Sequence, residues 1–181
     1  MEMRYQTEAE FFELLDIYRN IPDKKFVLEI GSLVGETLWH WIAAGEPGMT
    51  LISVDLLVAP WDGRYSEQKQ GHDSLWSQWA TEKQINLTVM NLDSTQPQTV
   101  AKVKSLVPYL DFLLIDGGHD YGTVTSDYRN YGPLVRAGGI IAFHDVCGYA
   151  EVKQCWDEIK DRRPSREIHV ENGWGIGVLY V

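Results

Sequence analysis

Apolar runs too continuous for half-exposed strands recur along the chain, separated by stretches of helical period. FVLEI (26–30), TLISVD (50–55), NLTVMN (86–91), LDFLLID (110–116) and GGIIAFHD (138–145) predict five buried parallel strands. Helices are expected between and after them, over about 36–44, 74–83, 97–107, 123–131 and 150–161. Ahead of the first strand, Phe11, Leu14, Leu15 and Tyr18 recur at helical spacing, and Thr7 with Glu10 fits a capping box, so 1–23 is read as a leading helix closed by Pro22. The tail changes period. REIHVE (166–171) and WGIGVLYV (174–181) flank Asn172-Gly173, a dipeptide suited to a tight hairpin turn. Regular alternation of buried strand and helix predicts an α/β fold, a doubly wound, mostly parallel seven-stranded sheet with a C-terminal antiparallel hairpin, as a single domain over 1–181.

Charge narrows the partners. Sixteen basic against twenty-six acidic residues give a formal net charge of -10, a field that repels nucleic-acid backbones and anionic membranes. A small molecule is the expected partner, with a homo-oligomer left open. No basic-then-apolar leader opens the sequence and no apolar run approaches the ~20 residues that span a bilayer, so the cytoplasm is the expected location. The two cysteines, Cys147 and Cys155, suggest neither a disulfide framework nor a zinc site.

The chemistry concentrates at strand ends. The first strand runs into Gly31-Ser32-Leu33-Val34-Gly35, and Glu36 opens a helix, so a glycine-edged turn presents backbone N–H groups to a ligand. Its G-x-x-x-G spacing lacks the G-x-G-x-x-G of dinucleotide-binding domains and argues against NAD or FAD. Asp55, ending the second strand, is placed to accept both hydroxyls of a ribose. Asp116 ends the fourth strand, and His144 with Asp145 ends the fifth, beside the switch point of a doubly wound sheet. Two carboxylates and an imidazole there make a candidate site for Mg or another divalent metal; the plain alternative is a solvated acid cluster with His144 bonded to a carbonyl. The long connection 57–73 with Trp61, Arg64 and Tyr65 suits a lid, whereas Trp39, Trp41, Trp76 and Trp79 read as packing residues on helices.

VLEIGSLVGET, ISVD, LDFLLIDGGHDY and GGIIAFHDV, in this order and spacing, resemble the class I S-adenosylmethionine-dependent methyltransferases. More narrowly they resemble the small bacterial family containing metal-dependent sugar and macrocin-type O-methyltransferases, with a more distant likeness to catechol O-methyltransferase. The resemblance covers the chain from about residue 24 onward and implies a Rossmann-like fold binding S-adenosylmethionine. It implies that Glu29, Gly31, Ser32 and Gly35 lie along the methionine moiety, that Asp55 holds the ribose, and that Asp93 and Ser94 lie near the adenine. Asp116 borders the cofactor and, with His144 and Asp145, falls on the metal-ligand positions; relatives usually carry an acid where this chain has His144. Sugar methyltransferases of this type place an acid at the position of Gly118, which cannot move a proton. His119 matches the basic lysine of the catechol enzymes and is the candidate general base, with Asp116 the other catalytic residue; capping of the following helix is its structural alternative. The implied reaction is metal-assisted O-methylation of a small hydroxylated molecule such as a sugar. A metal-independent N-methyltransferase and a non-catalytic S-adenosylmethionine-binding module stay open from the residues alone.

Overall fold

A computed structural model describes residues 6–56 and 65–181, apart from the side chains of 65–69. Seven strands form one sheet: β1 (Phe26–Ile30), β2 (Thr50–Asp55), β3 (Asn86–Asn91), β4 (Leu110–Ile115), β5 (Val135–His144), β6 (Ser165–Ile168) and β7 (Ile176–Tyr180), in the order β3-β2-β1-β4-β5-β7-β6. The first five are parallel, and β7 lies antiparallel between β5 and β6. Helices α1 (Glu8–Arg19), α2 (Glu36–Ala43), α3 (Tyr65–Glu82), α4 (Pro97–Leu106), α5 (Tyr121–Tyr131) and α6 (Ala150–Ile159) cover its two faces.

Strand alternation sorts the core into two clusters. Val27 packs with α1, α2 and α3 around Phe11, Trp41 and Trp76, whereas Leu28 and Ile30 pack with α4, α5 and α6 around Val103, Tyr131 and Trp156. Chain order reverses between β1 and its neighbours β2 and β4, so the crevice of a doubly wound sheet opens at their carboxyl ends. Among the described residues no helix is long and apolar enough to cross a membrane.

Three local expectations are corrected, two of them by longer-range contacts. Thr7 does occupy the N-cap position of α1, but its side chain caps nothing. Glu10 turns inward instead, its Oε1 accepting the Val170 N–H at 2.9 Å and its Oε2 the Gly175 N–H at 3.0 Å. Two charge-assisted bonds in the interior outweigh one exposed box. The same bonds widen the C-terminal hairpin: β6 and β7 are joined not by a two-residue turn but by the segment 169–175, with positive φ at Asn172 and Gly175. Finally, α3 begins at Tyr65 within the stretch read as a loop, because 65–73 is rich in helix-forming Glu, Gln and Lys but carries no apolar stripe to reveal it.

Candidate functional site

On one side of the crevice the β1–α2 turn is fixed by backbone contacts. Gly31 has φ +88°, donates its N–H to the Val54 carbonyl at 2.9 Å, and leaves no room for a side chain, since a Cβ there would lie 1.8 Å from the Asp116 carbonyl oxygen. Leu33, also at positive φ, donates its N–H to Asp55 Oδ2 at 2.7 Å. Gly35 (φ +88°) is the N-cap of α2, and a Cβ on it would meet the Trp76 ring at 1.9 Å. That ring donates its N–H to the Val34 carbonyl at 3.0 Å, so Trp76 buttresses the turn. Ser32 accepts a hydrogen bond from the Ser53 hydroxyl at 2.7 Å, and the buried Glu29 carboxylate accepts one from the Thr37 hydroxyl.

Asp93 and Ser94 lie in the loop after β3. Asp93 Oδ1 accepts from both the backbone N–H (2.8 Å) and the hydroxyl (2.7 Å) of Thr95, bonds that hold its carboxyl below the usual range. The Ser94 carbonyl accepts the Tyr131 hydroxyl at 2.7 Å. Beneath this loop lies Asp127, which the sequence patterns did not single out. It is fully buried, and among the described residues neither carboxylate oxygen has a well-aligned hydrogen-bond partner, although the Ser94 side chain lies near. Burial pushes it up to about 7, against the opposing influence of the Ser94 side chain and with the charges of Asp93 and Asp120 adding to the shift.

The other side of the crevice is the acid cluster. Asp116 follows β4, His144 ends β5, and Asp145 follows it at φ +66°, a left-handed conformation that costs a non-glycine residue strain and re-aims its carboxylate. His144 Nδ1 lies 3.1 Å from Asp116 Oδ1 and 3.1 Å from Asp145 Oδ1. Burial disfavours charge on this ring, but the two carboxylates override it and raise the pKa. Neither ring nitrogen is aligned for a hydrogen bond. One ligand atom from each of the three residues lies within 4.8 Å of the others. A buried imidazole nitrogen facing two carboxylate oxygens without an aligned partner is a donor set that fits a divalent metal.

His119 joins this cluster, its Nε2 lying 3.0 Å from Asp145 Oδ2. That contact raises its pKa, with burial opposing. Helix capping falls to Asp120, which accepts the Thr123 N–H at 2.9 Å. At Gly118 a Cβ would meet Thr123 at 2.7 Å, so packing disfavours a larger residue there. The leading segment also reaches the cluster, where the Gln6 amide donates to Asp116 Oδ2 at 2.7 Å. Neither Gln6, Tyr149 nor Trp174 was marked by sequence patterns, and Glu10 was marked only as a helix cap; Trp174 lies between Gly173 and Gly175, and an aromatic set between glycines in a polar turn is the one local signal of an exposed ring.

The packing residues are found as expected. Trp41 and Trp76 are buried, and Trp39 stacks on Trp79 with ring centroids 3.8 Å apart. Cys147 is exposed and Cys155 buried, and burial raises both thiols, so neither is activated. Trp61, Arg64 and the side chain of Tyr65, the expected lid, lie outside the described residues.

A methyltransferase domain family model matches residues 28–146. No curated protein matches the chain. Among solved structures, an O-methyltransferase from Bacillus cereus in complex with S-adenosylhomocysteine superposes with a TM-score of 0.65 at 13% identity, covering 99% of this chain and 83% of that one. The apo TDP-rhamnose 3'-O-methyltransferase of calicheamicin biosynthesis gives 0.69 at 14% identity, covering 98% and 81%. An O-methyltransferase of tomaymycin synthesis from Streptomyces achromogenes, in complex with S-adenosylmethionine, gives 0.61 at 15%, covering 96% and 79%. At these identities the likeness speaks for the fold.

Proposed function

The chain belongs to the methyltransferase domain family and is a methyltransferase of the class I fold, and from that premise we propose that it carries out metal-assisted O-methylation of a small hydroxylated molecule. The observation that carries this reading is the contact between the two sides of the crevice. The glycine turn that would receive S-adenosylmethionine packs its Gly31 directly on the backbone of Asp116, whose carboxylate belongs to the acid cluster. Methyl donor and acceptor hydroxyl would then be held by adjoining backbone segments, and positioning supplies most of the rate.

On the donor side, Gly31, Ser32 and Gly35 shape the turn, Glu29 lies along the methionine end, Asp55 binds the ribose hydroxyls, and Asp93 and Ser94 border the adenine. On the acceptor side, Asp116, His144 and Asp145 would hold a divalent cation. When bound, the cation lowers the pKa of an adjacent hydroxyl, and the sulfonium cofactor provides the methyl group. The rest falls to the protein. Asp145 Oδ2 faces His119 Nε2 at 3.0 Å, which favours the tautomer with the proton on Nε2 and leaves Nδ1 with the lone pair that takes the hydroxyl proton. An O–CH3 bond would form as the S–CH3 bond breaks, with the proton passing to His119.

Replacement of His119 by Ala is expected to lower turnover on a true acceptor by roughly 10²- to 10⁴-fold while leaving S-adenosylhomocysteine affinity near wild type. Near wild-type turnover would remove the base assignment. Calorimetric titration with S-adenosylhomocysteine tests the donor assignment independently. Micromolar affinity, about 8 kcal/mol, is expected, and no binding would overturn the reading.

A further inference from the structure

A ladder of stacked rings leads from the acid cluster to the surface. The His119 ring stacks on Tyr149, with centroids 4.0 Å apart and planes inclined by 19°, and Tyr149 stacks on Trp174 at 5.9 Å and 16°. The inner end touches Asp145 through His119 Nε2. The outer end is open, Tyr149 being 39% and Trp174 44% exposed, with Val170 of the same 169–175 segment also exposed.

Exposure alone says little, since apolar atoms make up much of any protein surface. Rigidity is what sets this place apart. Trp174 accepts the Cys147 N–H on its own carbonyl at 2.8 Å, and the next carbonyl, Gly175, accepts the Val146 N–H at 3.2 Å. These bonds tie the segment to the two residues that follow Asp145. From the opposite direction the buried Glu10 carboxylate grips Val170 and Gly175, and a Cβ on Gly173 would strike Glu10 Oε1 at 2.1 Å. Gly148 is equally constrained, as its Cβ would fall 2.3 Å from the Trp174 ring. An exposed indole whose backbone is fixed on both sides presents a large apolar face at little further entropic cost on binding.

We propose that Trp174, with Tyr149 behind it, is an acceptor subsite that receives a flat ring of the molecule to be methylated. The inference rests on the reading of the acid cluster as the methyl-acceptor site. Trp174 stands two ring steps from the His119 imidazole, so the ring it receives is remote from the reacting hydroxyl. The acceptor is therefore an extended molecule of at least two ring units, one bearing the hydroxyl at the cluster and another packed on the indole. The net charge of -10 disfavours an acceptor with anionic groups. The shared chemistry is an uncharged, ring-bearing polyol or polyphenol, whose flat face is either a sugar C–H face or an aromatic ring.

Ligand-observed NMR titrations in the presence of S-adenosylhomocysteine test this with two probes that carry no carboxylate or phosphate and consist of two linked ring units each, the flavonoid aglycone luteolin and the glycoside salicin. At least one is expected to bind wild-type protein, luteolin binding pointing to an aromatic source and salicin binding to a glycosidic one. Trp174→Ala is expected to weaken that binding about tenfold and Trp174→Phe to restore most of it. Calorimetry with S-adenosylhomocysteine is expected to give the same affinity in all three proteins. Failure of both probes to bind wild-type protein, or equal binding by Trp174→Ala, would overturn the subsite. Absence of S-adenosylhomocysteine binding by wild-type protein would instead overturn the methyltransfer reading.

Discussion

The two sides of the crevice are built in different ways. The core of the donor side is local: β1, its glycine turn and α2 are consecutive in the chain, and Asp55 needs only the adjacent strand β2 to reach Leu33, with Trp76 of α3 and the loop of Asp93 and Ser94 added around it. The acceptor side is assembled from afar. Gln6 and Glu10 come from the leading segment, Asp116 and His119 from the end of β4, His144 and Asp145 from the end of β5, and Trp174 from the segment before β7. The glycine turn is dictated by short-range chemistry, whereas a surface that selects an acceptor is free to draw on elements remote in sequence.

The comparison breaks first at Gly31. Replacement by Ala puts a methyl group into the Asp116 carbonyl at an unfavourable φ, which is expected to cost at least ~4 kcal/mol or abolish folding; a stable Gly31→Ala protein that still binds S-adenosylhomocysteine would show that the two sides are not locked together. Next is Glu10→Ala, which leaves two backbone N–H groups without their acceptor. A loss of about 2–4 kcal/mol in denaturant unfolding is expected, with S-adenosylhomocysteine affinity retained because the Glu10 carboxylate bonds Val170 and Gly175 rather than the glycine turn. Smaller in scale is Asp55→Ala, expected to weaken that affinity by about 1.5–3 kcal/mol; calorimetry showing unchanged affinity would remove the ribose assignment.

The smallest effect is on pH dependence. Asp127 has a folded pKa raised from 3.8 to about 7, so between these values the folded state holds a proton that the unfolded state has released. Stability is therefore expected to fall as pH rises through that window. Asp127→Asn is expected to be more stable than wild type by about 1–3 kcal/mol at pH 8, with the advantage disappearing toward pH 4. Thermal unfolding at both pH values checks this, and an equal difference at both would show that the carboxyl is not titrating in that range.

This division also explains what was legible in the sequence. Continuous apolar runs such as FVLEI and LDFLLID specify buried strands by their own composition, and each lies within a residue of the observed element. The glycine turn was readable because its glycines answer to backbone geometry. Asp116, His144 and Asp145 could be grouped because fold topology alone brings strand ends together. By contrast, Glu10 looked like a helix cap, since nothing near it in sequence announces the backbone donors of Val170 and Gly175. Asn172-Gly173 looked like a tight turn for the same reason. Tyr149 and Trp174 acquire meaning only once the sheet has placed them beside His119.

Metal-assisted methylation requires the acid cluster beside the glycine turn to hold a divalent metal, which Mn2+ titration followed by electron paramagnetic resonance, with S-adenosylhomocysteine present, checks. Wild-type protein is expected to bind one Mn2+ per chain, and Asp145→Asn to lose that binding while keeping its affinity for S-adenosylhomocysteine. No stoichiometric Mn2+ binding by wild-type protein, or unchanged binding by Asp145→Asn, would contradict the account.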